Sequence, residues 1–250
     1  MKKAVSIFLV SLISNSSLTY VNAQTNEIEL TESKHLVTKE GSQQTEKHLS
    51  HEDHHSGELV SAKDALKALL ADMKQYRATF NQTVVDAQQN VVHEAQGVLT
   101  MTRPNKLRWE TTFPDETLLI ADGEAVWNVD TFVEQVTVLS QKSAIKDNPI
   151  VLLTASDDAT WRKFSITELN VSVENEALRS FQVTPNEAGG QIETLTLTFN
   201  SLGNLAALNM LDTQQQISTL VFDNVETRFM LAADTFAVDV PDSFIVDDQR

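Results

Sequence analysis

The chain has 250 residues, 41% of them hydrophobic, and its 35 acidic against 19 basic side chains give a formal net charge of −16. Such an acidic surface repels nucleic acid and anionic membranes, so nucleic-acid binding is not expected. Cysteine is absent and glycine numbers only 7, which excludes disulfides, thiolate metal sites and a lipidated cysteine, and argues against a Gly-rich nucleotide fold.

Residues 1–23 read as a secretory signal. Lys2 and Lys3 make a basic start, Ala4 to Ile13 a short apolar stretch, and Val21-Asn22-Ala23 a cleavage site before Gln24. The apolar stretch falls short of the about 20 residues a membrane span needs. Residues 24–57 form an acidic extension without a single aromatic side chain. It cannot bury enough apolar surface to offset its ordering entropy, and disorder is expected. His35, His48, His51, His54 and His55 all lie there. The i, i+4 spacing of His51 and His55 would suit zinc, nickel or copper on a helix. With no scaffold around them, a solvated polar tail is the preferred reading, and no metal is assigned.

A third region, 58–250, carries the fold. Its first element is a helix from Ser61 to about Tyr76 or a little beyond, with Ser61 as cap and Asp64 in the first turn. Leu66, Leu69, Leu70, Met73, Tyr76 and Phe80 recur at steps of three and four and line one face, while Lys63, Lys67 and Lys74 lie off much of it. Such a stripe packs on a core or covers a cavity.

Beyond Phe80 the period falls to two. Strands are expected over 98–102, 106–112, 117–121, 125–130, 133–139, 161–166, 169–173, 178–184, 193–199, 217–222, 227–231 and 236–240. Arg103-Pro104-Asn105, Ala121-Asp122-Gly123, Asn186 to Gly190 and Gly203-Asn204 supply turns between them. This spacing predicts an antiparallel meander. Asn148 to Thr154 reads instead as a short apolar helix with Pro149 in its first turn.

Catalysis is not expected. Asp115-Glu116, Asp157-Asp158 and Asp247-Asp248 are adjacent pairs, and neighbours on a strand point to opposite faces. His93, outside the extension, has no nucleophile at motif spacing.

From about Ala65 onward the chain resembles the LolA-type periplasmic lipoprotein carrier family. The resemblance rests on Gly97-Val98-Leu99-Thr100-Met101-Thr102-Arg103-Pro104-Asn105-Lys106-Leu107-Arg108-Trp109, on Pro114-Asp115-Glu116 through Ala121-Asp122-Gly123-Glu124-Ala125-Val126-Trp127, on Phe132-Val133-Glu134-Gln135-Val136, and on Val246-Asp247-Asp248-Gln249-Arg250. The extension before the helix, and a single apolar residue at Lys106-Leu107, depart from the family pattern.

The resemblance implies a mainly β (α+β) fold, an unclosed antiparallel half-barrel of about 11 strands with helices forming a lid over an apolar cavity. It implies that Arg103 latches the lid through backbone carbonyls. Leu66, Leu70, Met73, Phe80, Leu107, Trp109, Leu118 and Ile120 are accordingly expected in the cavity or lid, ordinary core packing being the alternative. It further implies a periplasmic, cofactor-free monomer that takes acylated lipoproteins from an inner-membrane ABC releasing complex and delivers them to an outer-membrane lipoprotein receptor. A lipid or lipoprotein sensor on the same half-barrel is the competing reading.

Overall fold

The computed structural model describes residues 60–145, 149–170 and 178–250. The leader, the extension with His51 and His55, Asn148 and residues 171–177 lie outside these. Helix α1 is Ala62–Asp72. Twelve strands follow: β1 (Gln75–Val85), β2 (Val91–Thr102), β3 (Lys106–Phe113), β4 (Thr117–Ala121), β5 (Ala125–Asp130), β6 (Gln135–Ser140), β7 (Phe164–Leu169), β8 (Arg179–Pro185), β9 (Ile192–Phe199), β10 (Leu205–Asp212), β11 (Ile217–Glu226) and β12 (Ile245–Asp248). Between β6 and β7 come the single turns α2 (Gln141–Ala144) and α3 (Asp158–Trp161), with a 3-10 segment, Pro149–Thr154, between them. Among the described residues no helix is long and apolar enough to cross a membrane.

All twelve strands form one open sheet in the order β12-β6-β5-β4-β3-β2-β1-β11-β10-β9-β8-β7. Two antiparallel meanders, β1–β6 and β7–β11, meet along the β1–β11 ladder, and β12 adds to β6 in parallel. The expected mainly β, unclosed architecture is therefore present, with one strand more than anticipated.

Three hairpins turn by the same device. Asp86, Asn200 and Asp212 each accept two backbone N–H bonds on Oδ1, from positions two and four residues on, at 2.8–3.0 Å. The fourth residue of each loop is left-handed: Gln89 (φ 65°), Gly203 (φ 77°) and Gln215 (φ 62°). This is a type I turn closed by a left-handed residue. A glutamine there carries a Cβ penalty that glycine avoids. Gln215→Gly is expected to stabilise the fold by about 0.5–1 kcal/mol, raising the thermal midpoint by roughly 1–4 °C; a lowered midpoint would refute it.

The helix ends earlier than its apolar stripe suggested. Met73 is already the cap (φ −79°, ψ 70°), and Tyr76 and Phe80 belong to β1. A four-residue step fits one helical turn and two strand repeats equally well. Here β1, rich in Thr and Val, pairs on both edges, with β2 and β11, and that long-range pairing decides the outcome. Strand β10 replaces no expected element, and residues 227–231 and 236–240 lie outside every strand.

Alternation gives the sheet an apolar face. Tyr76, Ala78 and Phe80 face Met101, Leu99 and Gly97, which in turn face Leu107, Trp109 and Thr111. Leu107 and Trp109 then face Ala121 and Leu119. On the other side of β1 the face continues through Phe222, Leu220, Leu208, Leu197 and Phe181. These residues form one continuous core with Leu66 and Leu70 of α1 and with Ile150 to Leu153 of the 3-10 segment. A flat twelve-stranded sheet would be roughly 50 Å wide, whereas α1 is only about 16 Å long. Since α1 touches β7 while the 3-10 segment touches β3 and α2, the sheet must curl around these helices.

The opposite face is covered in part by residues 227–244, which run from β11 to β12. Phe229 lies under the Arg77 guanidinium, 4.1 Å from ring centre to Cζ, and Phe236 lies 5.9 Å from Lys106 Nζ. Val238, Val240 and Phe244 pack on Ala125, Val129, Val136 and Val138. These apolar residues read as strands because they alternate, but they lie flat across a sheet instead of extending one.

Gly97 marks a close approach. It pairs with Phe80 across the β1–β2 ladder. A Cβ at this position would sit 2.0 Å from the Glu110 carbonyl oxygen and 2.5 Å from Phe80 Cζ. Gly97→Ala is expected to cost about 3 kcal/mol through overpacking against backbone. Urea unfolding checks this, and an unchanged midpoint would show that the strands can part freely.

Candidate functional site

The β2–β3 turn, Arg103-Pro104-Asn105, is held at its two ends by backbone bonds to different elements. Arg103 N donates to Lys74 O at 3.0 Å, just after α1, and Asn105 N donates to Thr154 O at 3.0 Å, at the end of the 3-10 segment. Asn105 takes a left-handed conformation (φ 63°), which asparagine tolerates better than most residues. This geometry aims the Arg103 side chain at the same 3-10 terminus. Its Nη1 donates to Leu153 O, and its Nη2 donates to Ala155 O at 2.6 Å. A 3-10 end leaves carbonyls without intrahelical donors. The planar guanidinium fork satisfies two of them at once.

Arg103 is half-buried, and desolvation pulls its pKa below the usual arginine value. Hydrogen bonds from a charged donor contribute about 1.5–3 kcal/mol each. Two neighbours reinforce the arrangement. Gln141, capped into α2 behind Ser140, donates through Nε2 to Asn105 O at 3.0 Å and accepts from Gly123 N at 3.1 Å. Trp161 of α3 donates through Nε1 to Ala155 O at 3.2 Å, so that carbonyl accepts two bonds. Lys63 Nζ in turn donates to Trp161 O at 3.1 Å, which ties α1 to α3.

Beneath this rim lies the apolar face. Leu66, Leu70, Met73, Phe80, Leu107 and Trp109 are all buried and belong to one core. Phe80 and Trp109 stack at 4.4 Å between ring centroids. Tyr76, beside Phe222, donates its hydroxyl to Leu205 O at 2.7 Å, and burial pushes its pKa far up, so it stays neutral. The helical side chains Leu66, Leu70 and Ile150 to Leu153 thus occupy the concave side of the sheet.

Two expected cavity residues do not join them. Leu118 and Ile120 pair with Glu110 and Arg108, not with Leu107 and Trp109, so they project from the opposite face. Leu118 packs on the cluster that includes Val238, Val240 and Phe244. Alternation puts Leu118 and Ile120 on a common face but cannot say which one; the β3–β4 register does. Phe80 needs a second correction, because it reaches the interior from β1 and not from a helix.

Gln141 and Trp161 were not singled out by the sequence, and Lys74 stood out only as a cation off the apolar stripe. Asp157 gave the only local hint for Trp161. Its carboxylate accepts from Thr160 N at 2.8 Å and caps α3, which gives the Asp157-Asp158 pair a structural role. Among the described residues no group of three or more His, Cys, Asp or Glu side chains could hold a metal ion.

Residues 71–239 match the family described as "Outer membrane lipoprotein carrier protein LolA". An outer-membrane lipoprotein carrier protein from Pseudoalteromonas translucida is 36% identical over 188 residues, 74% of this chain and 86% of that protein. Its counterpart from Aeromonas salmonicida is 34% identical over 192 residues, 76% of this chain and 91% of its own. Among solved structures, a LolA superfamily protein from Nitrosomonas europaea is similar with a TM-score of 0.41 and 11% identity, over 70% of this chain and 97% of that one.

Proposed function

The chain belongs to the outer membrane lipoprotein carrier family LolA, and on that premise we propose that it is a periplasmic carrier of acylated lipoproteins. It receives them from an inner-membrane ABC releasing complex and passes them to an outer-membrane receptor. It works as a monomer, without cofactor or bond-making chemistry. The observation that carries this reading is the Arg103 fork on the carbonyls of Leu153 and Ala155, where the 3-10 segment closes over the apolar face.

The energetics favour reversible carriage. Burying an acyl methylene yields about 0.8 kcal/mol, so three chains of roughly 15 methylenes would give on the order of 35 kcal/mol if fully desolvated. Non-covalent affinity saturates near about 20 kcal/mol, and cargo held that tightly would never leave. In this protein the site is already filled by its own leucines and isoleucine, each stabilised by roughly 1.5–3 kcal/mol when buried. Loading therefore exchanges lid side chains for acyl chains and breaks the two Arg103 bonds. Only the difference appears as affinity. Release lets the same side chains and bonds return.

The direct test is incubation of the exported protein with spheroplasts. A carrier releases lipoproteins into the soluble fraction as a one-to-one complex. No soluble lipoprotein above the level seen with an unrelated acidic protein would reject the reading.

A further inference from the structure

Helix α1 places Lys63 and Lys67 one turn apart, and Lys74 follows two residues after the helix end. Lys63 Nζ is held by Trp161 O, while Lys67 and Lys74 border an opening in the surface. A pocket of about 440 Å³ opens between α1, the β2–β3 turn and α3, and its walls include Lys67, Lys74, Arg103, Pro104, Ser156 and Trp161. Three cations thus meet at one opening of a chain whose net charge is −16. Lys67 is engaged by Asp158 at 2.5 Å. Lys74 is exposed and has no ion-pair partner among the described residues. Asp72, two residues before Lys74, is exposed and forms no ion pair with it, and Asp157 is spent on its cap.

We propose that this pocket binds a phosphate-type oxyanion, either the phosphodiester of a phospholipid headgroup or a soluble phosphate ester, and that binding draws Arg103 off the lid. The proposal rests on the carrier reading for its purpose, though not for its chemistry. Lys74 and Arg103 supply charge and a planar donor fork, Ser156 a hydroxyl, and Trp161 an apolar wall. A phosphate oxygen is a far stronger acceptor for guanidinium than a neutral carbonyl. An anion seated between Lys74 and Arg103 therefore competes directly with Leu153 O and Ala155 O. The acidic remainder of the surface is repelled by an anionic bilayer, which turns this cationic opening toward it. The lid would then loosen where lipid-anchored cargo is met.

The test uses the exported protein and Lys74→Gln, a change at an exposed side chain whose backbone bond to Arg103 N survives. Calorimetric titration with sn-glycerol 3-phosphate should saturate, weaken with added salt, and be about tenfold weaker in Lys74→Gln. The Asn105 amide, bonded to Thr154 O beside the latch, should exchange with deuterium about tenfold faster when the site is full. Flotation with phosphatidylglycerol vesicles that is lost in Lys74→Gln assigns the site to a headgroup; binding of glycerol phosphate without flotation assigns it to a soluble ester. Heat that never saturates, equal binding in both proteins, or unaltered Asn105 exchange overturns the proposal. Spheroplast release on the same preparations separates the two ideas, since carriage without phosphate binding removes only this one, and phosphate binding without carriage removes only the other.

Discussion

Arg103→Leu should leave the lid unlatched and the carrier unable to unload. The substitution removes both side-chain bonds to Leu153 O and Ala155 O and leaves Ala155 O with the Trp161 indole alone. The closed form should lose about 3 kcal/mol, the low end for two charge-assisted bonds, which raises the open fraction about a hundredfold. Empty protein should bind an apolar dye and exchange the Asn105 amide faster. Loaded protein should hold its lipoprotein and transfer it to the receptor at less than about a tenth of the normal rate. Arg103→Lys keeps the charge but loses the fork, so an intermediate phenotype is expected. Transfer by Arg103→Leu at the unaltered rate would remove the latch from the mechanism.

Trp109→Ala should be the most damaging single change to the interior. Trp109 is fully buried, stacks on Phe80 and sits opposite Leu99 and Leu119 in the ladders. Truncation of a buried tryptophan costs about 3–5 kcal/mol. For a domain of this size the thermal midpoint should fall by roughly 10 °C, and cargo capacity should fall with it. Leu118→Ala is the matched control from the opposite face. It should destabilise by about 1–2 kcal/mol at most, being only partly buried, and leave lipoprotein release from spheroplasts unaffected. If Leu118→Ala lost cargo while Trp109→Ala kept it, the two faces of the sheet would have been assigned the wrong way round.

Much of the sheet was readable where alternation and turn chemistry agree. Strands β4 and β5 match their expected bounds, and β3 extends the expected span by one residue. The short apolar helix near Pro149 is present as a 3-10 segment. Strand β10 was hidden for two reasons. Leu205-Ala206-Ala207-Leu208 puts small apolar residues on both faces, which blurs the period. Its following turn, Asp212 to Gln216, uses an aspartate and a left-handed glutamine in place of Gly or Pro. Strand β1 was lost to the ambiguity of four-residue spacing.

The site was legible more unevenly. Arg103 stood out only through the family resemblance, because its partners are backbone carbonyls 50 and 52 positions away, which no side-chain identity encodes. The cationic side of α1 was visible as Lys63, Lys67 and Lys74. That Lys67 and Lys74 border a pocket depends on α3, whose single turn has too few residues for any periodic signal.

The seam between the two meanders has a consequence for how the molecule forms. Each hairpin can assemble as soon as its own two strands are available, but β1 must wait for β11, which lies near the far end of the chain. Pairings between such distant segments come late and set the pace of folding. Until then both flanks of the nascent sheet expose unpaired strand edges, which are prone to association with other chains. Refolding of this protein should accordingly be slow and concentration-sensitive, with the central ladder the last to acquire protection from hydrogen exchange.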